Sequence, residues 1–224
     1  MNHSTITAEQ ASAIEVMLSR MPDLPSGIGS KANACSIAAI NLALTGSLTD
    51  EIPKCMSIVI GKWIIKIQDT APVELRNSER WRRLLPLAAG TGRGREAERS
   101  SVALGWMWSV VLPQVQPLAD RRGFGESWRK MCDLRTRAAA NAAANAAAAA
   151  ATSAAYAAAA ATSAAASAAA YVASCADTYA ATYAAYAAAA AASAAYATYA
   201  DFWSSVDPCG CLERMINLPE GDIK

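Results

Sequence analysis

Gly90-Thr-Gly-Arg-Gly-Arg95 is the one motif in this 224-residue chain that hints at a ligand. It opens a helical pattern, and the free N–H groups at a helix start attract anions. Gly90, Thr91, Gly92 and Gly94 would supply the backbone, while Arg93, Arg95 and Arg99 would add positive charge. The motif lacks the Gly-Lys-Ser/Thr of a phosphate-binding loop, and no strand precedes it as a dinucleotide fingerprint requires. A flexible turn between helices is the commoner use of such glycines.

The remaining groups offer less. The single His, His3, stands at a terminus prone to fraying, so no imidazole is held for a triad or a multi-histidine metal site. Six cysteines are scattered, and only Cys209-Gly-Cys211 are close, with no CxxC pair to suggest zinc. No basic region, apolar stretch and small-residue cleavage site follow one another at the N-terminus, so reduced thiols in a cytoplasm are expected. Glu96 and Glu98 adjoin arginines and read as surface charge, not as a matched acid and base. These residue types predict no catalytic residue, no metal and no cofactor, and hence a protein that is not an enzyme.

Composition splits the chain. Between Ala138 and Ala200, 41 of 63 residues are Ala, all seven Tyr occur there, and Asp177 is the sole charge. Arg76 to Arg137 instead holds 13 basic and 6 acidic residues. Such a stretch could meet an acidic partner, but a solvated helical surface is the plainer reading. The overall charge of +1 favours no partner and gives nucleic acid no support. The Ala-rich run is long enough to span a bilayer, yet Asn141, Asn145 and several Ser and Thr interrupt it, and it lacks Leu, Ile and Phe; membrane insertion is not expected.

Spacing predicts an all-α fold. Thr7 with Gln10 forms a capping box before a stripe of Ala11, Ile14, Leu18 and Met21. Ser30 can cap a second helix, stopped at Gly46. Ile58–Ile67 is rich in β-branched residues, but Met56, Val59, Ile60, Trp63, Ile64 and Ile67 keep helical spacing, so a core helix capped at Thr49 or Asp50 is expected. Further helices cover Ser78 to a stop or kink at Pro86, and Arg95 to Leu112, where Pro113 ends the run.

No Gly or Pro occurs from Glu126 to Asp207, so all of it should be helical. One straight helix of that length would reach roughly 120 Å, too long for a compact domain. It must break or project, and Ser174–Asp177 is the best place for a break. Two long antiparallel Ala-rich helices are therefore expected, closely packed. Tyr179, Tyr183 and Tyr186 share one helical face and read mainly as packing residues. With Ala188 and Ala189 they are also the candidate interface of a homo-oligomer, because alanine surrounds each helix and leaves an apolar face over. The expected organisation is a helical core over 1–137, an Ala-rich long-helix region over 138–205 and a C-terminal turn and tail over 206–224 that docks on the core.

Several runs are shared with a known group. Glu51-Ile-Pro-Lys-Cys-Met56, Ile60-Gly-Lys-Trp-Ile64, Arg76-Asn-Ser78, Leu85–Gly92, Trp106-Met-Trp108, Gln116–Asp120, Gly123-Phe-Gly125 and Asp207-Pro-Cys209 resemble a family of uncharacterised phage and prophage proteins with an Ala-rich helical second half. The resemblance implies a phage-encoded protein acting in the host cytoplasm and carries no assigned activity. Relatives intersperse Asp or Arg among the alanines, where this chain mostly has Ser, Thr, Asn and Tyr, so no charged face is implied. The expected function is non-enzymatic: a helical protein that binds a host or phage protein or itself. The alternative is a binder of a phosphate-bearing metabolite at the Gly90–Gly94 loop. A purely structural or ice-binding alanine helix is a third class, disfavoured because the threonines do not keep one face.

Overall fold

The computed structural model describes residues 6–150, 156–172, 180–194 and 199–219. Among them the fold is all-α, and the one sheet is a two-stranded antiparallel hairpin of Gly29–Ser30 (β1) with Asn33–Ala34 (β2). The chain forms two compact units, residues 1–99 with 208–224, and residues 100–207. The expected boundary at 137/138 thus falls inside the second unit, where the helices on either side of it pack together.

The first unit begins with α1 (Ala8–Arg20), opened by the Thr7–Gln10 capping box. α2 (Ser36–Thr45) starts at Cys35 rather than Ser30, because the hairpin occupies the intervening residues; it stops at Gly46, whose φ of 74° suits glycine. α3 (Ile58–Thr70) confirms the helical reading of the β-branched run, with Val59, Ile60, Trp63, Ile64 and Ile67 buried. Its cap is Ser57, not Thr49 or Asp50. The loop before it is held by the Asn41 side chain, which donates to the Thr49 and Glu51 carbonyls at 2.8 Å each. Gly61 is required by close approach: a Cβ there would lie 2.5 Å from Ile52.

After the short α4 (Val73–Arg76), α5 (Glu79–Ala89) runs through Pro86 instead of stopping there. Pro86 and its neighbours Leu84, Leu85, Ala88 and Ala89 are buried, and that burial outweighs one missing donor near the helix end. The Trp63 and Trp81 rings stack with centroids 6.2 Å apart. Trp81 Nε1 donates to Ser36 Oγ, while Gln68 accepts from Ser36 N and donates to the Pro25 carbonyl, so Ser36, Gln68 and Trp81 are joined in one buried hydrogen-bonded set. α13 (Pro208–Ile216) closes the unit against α3 and α5, with Cys211, Leu212 and Met215 buried.

α6 (Glu96–Trp106) leads into the second unit. Pro113 does not end the helical run; the winding changes instead. A π-helical turn (Met107–Val111) passes to a 3-10 turn (Leu112–Val115) and then to α7 (Gln116–Arg121). Such changes of pitch accommodate the missing donor. Trp128 Nε1 takes up the Leu112 carbonyl at 2.9 Å, and Trp106 Nε1 the Val206 carbonyl at 2.6 Å. α8 (Gly125–Leu134) and α9 (Arg137–Ala149) follow, then α10 (Tyr156–Val172), α11 (Ala180–Ala194) and α12 (Tyr199–Val206).

The breaker-free stretch therefore makes more than two helices. The first break is at Arg135, left-handed at φ 52°, followed by Thr136, whose side chain caps α9 by accepting from Ala139 N. α9 ends at Ala149, and the expected break at Ser174–Asp177 lies outside the described residues. α10 packs against both α9 and α11 and is the middle of three alanine helices. Compactness explains the extra breaks: alanine buries too little surface on one contact, so the tract folds back twice.

Candidate functional site

The Gly90–Arg95 loop is tied into its own unit by backbone and side-chain hydrogen bonds. The Gly90, Thr91 and Gly92 N–H groups donate to the Leu87, Ala88 and Cys55 carbonyls. Thr91 Oγ1 donates to the Ala88 carbonyl and accepts from Ser57 N. Arg93 donates to the Ile52 and Pro53 carbonyls. Arg95, held at φ 61°, pairs with Glu98 and reaches the Leu218 carbonyl. Arg99 is only 5% exposed and donates to the carbonyls of Met215, Thr91 and Gly94. Burial, more than any neighbouring charge, holds its guanidinium below the usual arginine value.

The anion of this region is internal. The Glu96 carboxylate accepts from Ser57 Oγ at 2.5 Å, Ile58 N at 2.9 Å and Val59 N at 3.2 Å. It thereby takes up N–H groups at the start of α3 that have no partner within the helix, where the helix dipole favours an acidic side chain. The expected anion-binding residues thus come together, but as a clasp between the loop, α3 and α13. Sequence reasoning read Glu96 as surface charge beside its arginines, whereas it caps α3. An acid 39 residues from the helix it caps leaves no local signal.

The same use of arginine recurs. Arg82 donates to the Leu18, Met21 and Pro22 carbonyls at the end of α1. Arg76 donates to the Gln68 and Ala71 carbonyls at the end of α3. Cations there complement the negative ends of the helices. Several arginines of the first unit are therefore structural, and Arg80 is paired with Glu213 at 2.8 Å.

The candidate interface residues separate. Ala188 is fully buried inside the second unit and is unavailable to a second molecule, whereas Ala189 is half-buried. Tyr186 is 47% exposed, and Tyr183 lies with its ring 4.0 Å from that of Tyr171 on α10. Tyr179 lies outside the described residues. Tyr171, 41% exposed, belongs to this aromatic group and was not singled out from spacing, because its partner is on the next helix.

No disulfide joins the five described cysteines, and among the described residues no three His, Cys, Asp or Glu converge to hold a metal ion. Burial pushes the Cys35 and Cys55 thiols up, and burial with the Asp133 charge pushes Cys132 up to about 11. Since the thiolate is the nucleophile, on the order of 0.03% of Cys132 is reactive at pH 7.5, against roughly 10% of an ordinary thiol. Peptide mapping after a short iodoacetamide pulse is expected to show Cys132 modified at least about 100-fold more slowly in the native chain than in urea. Equal labelling would contradict the burial.

Among the described residues no helix is long and apolar enough to cross a membrane. The chain matches no family model, no curated protein and no solved structure.

Proposed function

We propose that the chain is a non-catalytic helical binding protein, and that its first partner is a second copy of itself. The observation that carries this reading is the outer face of α10 and α11. Neither helix contains a charged residue, and the exposed side chains there include Ser167, Tyr171, Tyr186 and Ser193. Two such faces can meet without desolvating any charge, which is the usual penalty in forming an interface. Exposed tyrosines on an uncharged surface supply large contact area with a polar tip that tolerates water in the free chain. A two-fold pairing brings the same patch against itself. The phage resemblance supplies a context in which host or phage proteins would be further partners in the host cytoplasm.

Light scattering over about 5–100 µM is expected to give twice the mass of one chain, reverting to one chain in the Tyr171→Ser, Tyr186→Ser double variant. Both positions are exposed, but Tyr171 also packs on Tyr183, so circular dichroism and the Tyr186→Ser single variant check that the fold is kept. The mass of one chain throughout, for the unaltered protein, would sink the self-association reading.

A further inference from the structure

The first unit is made of two pieces of chain, and the whole second unit, 100–207, stands between them in sequence. The second piece carries α13, which belongs to the core of the first unit. Cys209, Cys211, Leu212 and Met215 are buried, and α13 packs on α3 and α5. Docking α13 therefore means bringing together the two ends of an insert of roughly 100 residues. A flexible insert of that length would close about 30-fold less often than a connection of about ten residues, because the entropic cost grows as (3/2)RT ln n.

A folded insert removes that penalty by holding its own ends. Trp106 Nε1 donates to the Val206 carbonyl at 2.6 Å, joining the start of the second unit to its end, and both residues are buried. Arg99 lies seven residues before Trp106 in α6, two turns back on the same face. Its Nε donates to the Met215 carbonyl of α13 at 3.2 Å. One face of α6 thus grips the returning chain on either side of Asp207–Pro208. Asp207 is a non-glycine residue at φ 43°, a left-handed conformation that persists where the surroundings impose it.

We infer that α13 is a strap on the first unit whose closure is conditional on the folded state of the second. Loss of structure in the second unit releases the Trp106–Val206 contact and turns the insert into a long tether. α13 then leaves α3 and α5 and bares the apolar surface that it covers. The coupling is reciprocal: whatever binds the folded second unit tightens the strap by mass action. Self-association is one such event but is not required, since denaturant acts on the same link.

Native-state hydrogen exchange of the full chain, read by mass spectrometry as urea rises, tests the coupling. The amides of α13 are expected to open at or below the urea concentration that opens α9 and α11, and before those of α3. Ala188→Leu, which overpacks the second unit, should speed exchange in α11 and in α13 by the same factor, about fivefold or more, with α3 changed less than about twofold. Trp106→Phe keeps a ring, removes the N–H that holds Val206, and should speed exchange in α13 several-fold. The inference is overturned if α13 stays protected after α9 and α11 have opened, if α13 and α3 open together, or if Ala188→Leu speeds exchange in α11 and leaves α13 unchanged. The urea series on the unaltered chain decides by itself if either variant fails to fold.

Discussion

Replacing Arg99 by Met is expected to destabilise the first unit by about 3 kcal/mol, the largest effect of any single polar substitution proposed for this chain. The methionine keeps an apolar stem of similar reach, so the loss comes from the guanidinium. Three carbonyls lose their donor: Met215 in α13, and Thr91 and Gly94 in the loop. A buried acceptor left without a partner costs about 1–3 kcal/mol. The simple sum overstates the loss, because removing a buried cation also relieves its desolvation. Arg93 is the control. It too donates to two carbonyls, but it is exposed and water can replace it, so Arg93→Met should cost below about 1 kcal/mol. Hydrogen exchange in urea makes the comparison, since the amides of α13 should lose protection before those of α3. Equal behaviour of the two variants would show that the clasp does not hold α13 in place.

Why that clasp was not legible beforehand is a matter of distance along the chain. Thr7 and Gln10 satisfy each other three residues apart, and Gly46 takes a left-handed turn on its own account, so both ends were readable. α3 was readable because Val59, Ile60, Trp63, Ile64 and Ile67 recur with the period of a helix, and burial of that face overrides β-branched propensity. Its cap was not, because the Glu96 carboxylate that completes it comes from another loop. The Gly90–Arg95 residues and Arg99 do converge as expected for a site, but the acceptors of their arginines include the carbonyls of Ile52, Leu218 and Met215. A carbonyl carries no residue identity, so no sequence pattern announces it. In the alanine tract, propensity alone favoured unbroken helix. The break at Arg135–Thr136 reflects tertiary folding, since Thr136 caps a helix only once the chain must turn.

The alanine layer makes the sharpest demand on side-chain size. Ala188→Leu is expected to cost about 1–3 kcal/mol, while Ala189→Leu, one position along the same helix, should stay within about 0.5 kcal/mol. Ala184, Ala188 and Ala191 of α11 are buried at helical spacing, as are Ala165 and Ala169 of α10 and Ala140, Ala143 and Ala147 of α9. Asn141, Asn145, Ser167 and Ser193 lie exposed and mark outer faces of a tract whose alanines look alike in sequence, while Thr162 is buried. A methyl group lets helix backbones approach closely, and close approach gathers many small contacts where no single side chain contributes much. Leucine at 188 would need space inside a fully buried position, and making that space would loosen the packing of α11. At 189, which is half-buried, part of the added side chain can turn toward solvent, so less packing is disturbed. Thermal unfolding of the two variants decides between a tightly fitted layer and a loose alanine bundle. Equal melting temperatures would mean that the helices have room to spare. A drop confined to Ala188→Leu would show that the alanines are selected for size, position by position, despite the monotony of the sequence.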